Sequence, residues 1–139
     1  MKIHGIWLIL ILSVGSLMAN TAETHEQPPT SAESVAKTKR AAADLQAFAT
    51  ALQMFKLNAG VFPTAKQGLA SLVEKPKDDP IPRRWVQIMA KIPKDPWNRD
   101  YRYVTRNKDG KELHVIVSEG PNALSHDEDV EFVLEGAGK

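Results

Sequence analysis

The run from Glu33 to Asn58 contains no glycine or proline and is rich in Ala, Leu, Lys, Gln and Met, the side chains that cost least in a helix. Leu45, Phe48, Leu52 and Phe55 recur at steps of three, four and three, which places them on one face as an apolar stripe. Thr30 followed by Glu33 is a capping-box pattern, and Gly60 supplies the left-handed residue that closes a helix. Lys56 stands in the last turn, where the negative end of the helix dipole favours a cation. At about 1.5 Å per residue the rod is roughly 40 Å long, more than a small domain needs. The stripe therefore requires a cover from elsewhere in the chain.

A length of 139 residues suits one domain once any targeting segment is set aside. Net charge is +1, and loss of the first nineteen residues removes only Lys2, leaving 17 basic against 17 acidic side chains. Bulk charge therefore gives no reason to expect a nucleic-acid partner. The charges are unevenly placed: Lys75 to Lys111 is basic and Glu112 to Glu135 acidic, two solvated surfaces able to attract neighbouring copies. Without cysteine the chain has no disulfide, thiolate metal site, lipoprotein anchor or cysteine nucleophile.

Ile6 to Met18 is almost wholly apolar but short of the roughly 20 residues that span a bilayer. It suits the core of a signal peptide over residues 1–19, cut after Ala19 or Ala22, with a short uncleaved anchor as the alternative. Residues 20–32 form a polar linker. Its Pro28-Pro29 pair stops any helix from passing through, so the leader and the long helix are separate objects. The globular head is assigned to residues 33–139.

Beyond Gly60 the chain is extended through Val61-Phe62-Pro63. Thr64 and Gln67 repeat the capping box and predict a short helix through Val73, with Leu69, Leu72 and Val73 inward. Lys75 to Pro82 reads as a loop, Arg83 to Ile92 as one or two helical turns, and Pro93-Lys94-Asp95-Pro96-Trp97 as a rigid corner. The period then becomes two. Tyr101, Tyr103 and Thr105 alternate with charge, Asn107 to Gly110 is a turn, and Leu113, Val115 and Val117 precede a third run of Val130, Phe132 and Leu134. The expected architecture is α+β: a long N-terminal helix packed on a small three-stranded antiparallel sheet.

Several blocks in this order match a family. They are Phe55 to Thr64, Gln67-Gly68-Leu69, Leu72-Val73, Pro76, Trp85, and Pro93 to Trp97 with Tyr101 and Tyr103. Over most of residues 41–130 the chain resembles the major pseudopilin of the type II secretion system. The resemblance implies a pilin-like head and a subunit of a short periplasmic filament that moves folded proteins across the outer membrane. The chain also departs from the pattern. Leu10 stands where the family carries the glutamate that meets a neighbouring subunit's N-terminus. Pro28-Pro29 interrupts the continuous stalk, and Asn98-Arg99-Asp100 replaces Gly-Asn-Pro after the tryptophan. The head is thus retained and the usual assembly segment is not.

The resemblance further implies a calcium ion in the loop before the last strand, held by aspartates and backbone carbonyls. The matching stretch is Ser118 to Val130, and the ligands would be Asn122, Ser125, Asp127 and Asp129. Asn122 replaces the family's first aspartate and Pro121 a flexible position. No other chemistry is indicated. His114 and His126 lack metal-ligand spacing, and His114 is expected to face solvent. No nucleophile elbow surrounds Ser71, Ser118 or Ser125. Trp85 is expected to anchor its loop on the helix and Trp97 to plug the corner after Pro96. Ala41 to Ala43 with Ala47 and Ala51 form a small-residue face for the sheet or for a partner helix.

The sequence therefore points to a non-enzymatic structural or accessory subunit acting through protein–protein contacts. Its partners would be other pseudopilin or secretion-apparatus subunits, or copies of itself, with the membrane involved only if the leader stays attached. Its place would be the periplasm or the exterior, or the periplasmic side of the inner membrane. The alternative is a free periplasmic or secreted binding module that reuses the head without a filament.

Overall fold

The computed structural model of the chain describes residues 31–122 and 124–135. The leader, Thr30 of the first capping box and the Pro28-Pro29 break lie outside the described residues. Helix α1 spans Ser31–Ala59, so it takes in the last two residues assigned to the linker. It closes where the sequence placed its end. Gly60 adopts φ +86° and its N–H meets the Lys56 carbonyl at 2.8 Å, a left-handed cap that a side chain would strain. Leu45, Phe48, Leu52 and Phe55 are all buried, as are Ala41, Ala49 and Ala51. Ala42, Ala43 and Ala47 face outward, so the small-residue face divides between sheet and surface. Among the described residues no helix is long and apolar enough to cross a membrane.

Strands β1 (Arg102–Lys108), β2 (Lys111–Ser118) and β3 (Val130–Glu135) form an antiparallel sheet in the order β1-β2-β3. Asp109 (φ 52°) and Gly110 (φ 77°) make the two-residue turn between β1 and β2, whose twist matches the flanking strands. Tyr103, Ile116 and Phe132 are direct neighbours across the sheet, and with Leu134 they meet the α1 stripe. Leu113, Val115 and Val117, expected beneath the helix, lie on the opposite face in the row set that includes Val104 and Val133. The physical reason is that β2 is the central strand. His114, Ile116 and Ser118 are as buried as Val115 and Val117, so an apolar run there does not choose a side.

The outer face is closed by charge. Arg106 on β1 forks onto Glu131 on β3 at 2.9 and 2.7 Å, a strap that spans β2, and Arg102 pairs with Glu119 at 2.8 Å. The basic and acidic stretches thus answer one another within the chain. Such exposed pairs contribute roughly 0–1 kcal/mol each, so their role is mainly to cover the valines.

Between helix and sheet the chain is irregular. The second capping box forms reciprocally: Thr64 N–H donates to Gln67 Oε1 at 3.1 Å and Gln67 N–H to Thr64 Oγ1 at 3.2 Å. The regular piece that follows is only a 3₁₀ turn, Leu69–Leu72, because Gly68 sits at φ +56° and breaks the register. Leu69 and Leu72 are buried and Val73 is half-buried. Residues 83–92 form neither helix nor strand, so the expected helical turns do not appear. The amides of Ile88 and Met89 both reach the Leu72 carbonyl, at 2.9 and 3.0 Å, and so cannot close a turn of their own. Trp85 anchors this segment through its indole N–H, which meets the Ser71 carbonyl at 2.7 Å, while its ring packs on the core.

Candidate functional site

The corner Pro93 to Trp97 is organised by Asp95, only 4% exposed. Its Oδ1 accepts from the N–H groups of Trp97 (3.0 Å) and Arg99 (2.8 Å), and its Oδ2 accepts from Ser118 Oγ (2.8 Å). The backbone repeats the closure. Asp95 N–H meets the Arg99 carbonyl at 2.8 Å, and Asn98 takes φ 66° to allow it. One carboxylate therefore ties the corner to the last residue of β2. Periodicity cannot reveal such a residue; the available signal is an aspartate followed by Pro-Trp, a short polar side chain poised to cap its own turn.

The turn delivers Arg99 to the connection between β2 and β3. Its Nη1 donates to the Gly120 carbonyl at 2.6 Å and its Nη2 to the Pro121 carbonyl at 3.0 Å. Gly120 (φ +63°) is pressed against the far end of the same connection. A Cβ there would lie 2.5 Å from the Glu128 carbonyl oxygen, so only glycine fits.

The four residues proposed for calcium lie in this connection and are engaged locally. Asn122 Oδ1 accepts from Leu124 N–H at 3.1 Å, and Ser125 Oγ donates to Asp127 Oδ2 at 3.1 Å. His126 Nδ1 stands 3.0 Å from Asp129 Oδ2, while Asp129 Oδ1 is buried with no hydrogen-bond partner among the described residues. No three carboxylates or imidazoles among the described residues lie close enough to hold a metal ion.

His114 is 5% exposed, which corrects the expectation of a solvent-facing side chain. It follows from β2 being covered on both faces. The Tyr103 hydroxyl donates to the Pro63 carbonyl at 2.9 Å, so its oxygen accepts from His114 Nδ1–H at 2.7 Å. The Phe62 ring lies 4.4 Å away, and Lys56 sits over that ring at 4.6 Å. Burial pushes the imidazole below its ordinary value, with Lys56 adding to the effect and Glu112 opposing it. This cluster locks the chain leaving α1 onto the sheet. The serines are structural as well: Ser71 Oγ donates to the Gly68 carbonyl and Ser118 to Asp95.

The exposed side of α1 carries large apolar groups. Leu57 is 85% exposed, Val35 67% and Met54 49%. Near Leu57 a groove opens between the end of α1 and the edge strand β3, lined by Lys56, Phe62, Phe132, Val133 and Leu134.

A long capped helix laid on a three-stranded antiparallel meander, with an irregular connection before the last strand, defines a pilin-like head. The family model for the type II secretion system protein G matches residues 30–134, and the chain belongs to that family. It is 33% identical over 119 residues to the type II secretion system core protein G of Pseudomonas aeruginosa, covering 84% of each chain. It is 34% identical over 120 residues to that of Dickeya chrysanthemi, covering 85% of this chain and 69% of the relative. The major pseudopilin from the type 2 secretion system of enterohaemorrhagic Escherichia coli superposes with a TM-score of 0.62 at 31% identity. That match covers 70% of this chain and 86% of the other.

Proposed function

We propose that this chain is a non-enzymatic pseudopilin-like subunit of a type II secretion apparatus, acting through contacts with other apparatus subunits on the periplasmic side of the inner membrane. The observation that carries the reading is the family match over residues 30–134, which weighs against a free binding module that merely borrows the fold. Contacts fall to the outward side of α1, where Leu57 and Met54 expose apolar surface that none of the described residues covers. The charged straps of the outer sheet are already paired and contribute less to recognition.

Deletion of the gene in its native host tests this. The expected outcome is accumulation of exoproteins in the periplasm, restored by the wild-type chain. Leu57→Asp, which lies outside the core, should fold normally yet fail to restore secretion. Normal secretion in the deletion strain would contradict the reading.

A further inference from the structure

We infer that Arg99 is the resident cation of the β2–β3 connection, fastening the carbonyls of Gly120 and Pro121 so that this connection holds its shape without calcium. A calcium ion takes six to eight oxygens, with carboxylates among them. The residues present do not fit that demand. Asn122 Oδ1, Asp127 Oδ2 and Asp129 Oδ2 are each engaged by a neighbour, and Asp129 Oδ1 is the one buried side-chain oxygen left without a partner among the described residues. One buried oxygen is no coordination shell, and among the described residues no three carboxylates or imidazoles gather to complete one. The carbonyls at the start of the connection are taken up by a guanidinium, at 2.6 and 3.0 Å. Charge-assisted forked bonds of this kind are strong and directional, and the same positive charge repels a divalent ion from those oxygens.

Sequence and geometry agree on the exchange. Arg99, Pro121 and Asn122 are three departures from the family pattern, and they meet at one place in the fold. Arg99 is presented there by the turn that Asp95 closes. Where Asn122 removes an acidic ligand, Arg99 brings a side-chain cation, and Pro121 stiffens the backbone that it grips. At the other end, the contact between Gly120 and the Glu128 carbonyl already closes the connection.

The test is a pair of thermal melts of the folded wild-type protein, in a calcium chelator and in millimolar calcium, together with hydrogen exchange over the connection. Coincident melts and unchanged exchange are the expected result. Arg99→Ala should speed exchange around Gly120 by about tenfold while leaving α1 protected, with Arg99→Lys in between. A calcium-induced rise in Tm of about 4 °C or more, or slowed wild-type exchange on adding calcium, would overturn it. Unchanged exchange in Arg99→Ala would overturn it as well. Should that variant fail to fold, the wild-type comparison still decides.

Discussion

Along the seam between α1 and the sheet, Leu45, Phe48, Leu52 and Phe55 meet Ile116, Tyr103 and Leu134 in a continuous buried cluster. Around Asp95 the chain is held differently: three donors converge on one carboxylate, and one guanidinium holds two carbonyls. The seam gains stability in proportion to area, and its many contacts share the load. The polar clamp buries little area and depends on single groups, each of which leaves orphaned partners when removed. The two regions should therefore fail in different ways. Loss in the seam lowers the stability of the whole head, whereas loss in the clamp frees one connection first.

The sharpest way to break the seam is Phe48→Ala. Phe48 is 1% exposed and meets the edge of Tyr101 at a ring separation of 5.0 Å. Truncation should cost about 3–5 kcal/mol, read by chemical denaturation as a shift in midpoint at constant slope. For the clamp, Asp95→Ala strands the amides of Trp97 and Arg99 and the Ser118 hydroxyl, and should cost about 2–3 kcal/mol. Asp95→Asn keeps an acceptor and should cost less, which distinguishes lost bonds from lost shape.

The smallest effect concerns the far end of β2 from the clamp, where His114 helps fix the chain leaving α1 onto the sheet. Its folded pKa is lowered from 6.5, chiefly by burial, so the unfolded chain takes up a proton first as pH falls. Its contribution is therefore complete above 6.5 and declines as the medium is acidified below that value. Melting curves should show wild type losing more stability between about pH 7.5 and pH 5.5 than His114→Gln does. Equal losses would place the pH dependence elsewhere.

The seam was legible because a helix must repeat its apolar residues at a fixed spacing, and Leu45 to Phe55 do so without interruption. Gly60 was legible for a similar local reason, since a helix followed by glycine has few ways to end. The face of β2 was not, because a central strand carries apolar residues on both sides and loses its alternation. His114 went astray for the same cause. Residues 83–92 resembled a helix by composition, yet the amides of Ile88 and Met89 bond to Leu72, a partner distant in sequence. Asp95 and Arg99 were legible only as members of a block and as a departure from it. Their partners, Ser118 and Gly120, become neighbours only once the sheet has formed.

Hydrogen exchange on wild type, Phe48→Ala and Asp95→Ala, followed segment by segment under native conditions, tests the two-region account most directly. Asp95→Ala should deprotect the Trp97–Arg99 turn and the β2–β3 connection while the amides of Leu45 to Phe55 stay slow; Phe48→Ala should accelerate α1 and β2 together. Uniform acceleration of every segment by Asp95→Ala would contradict the account.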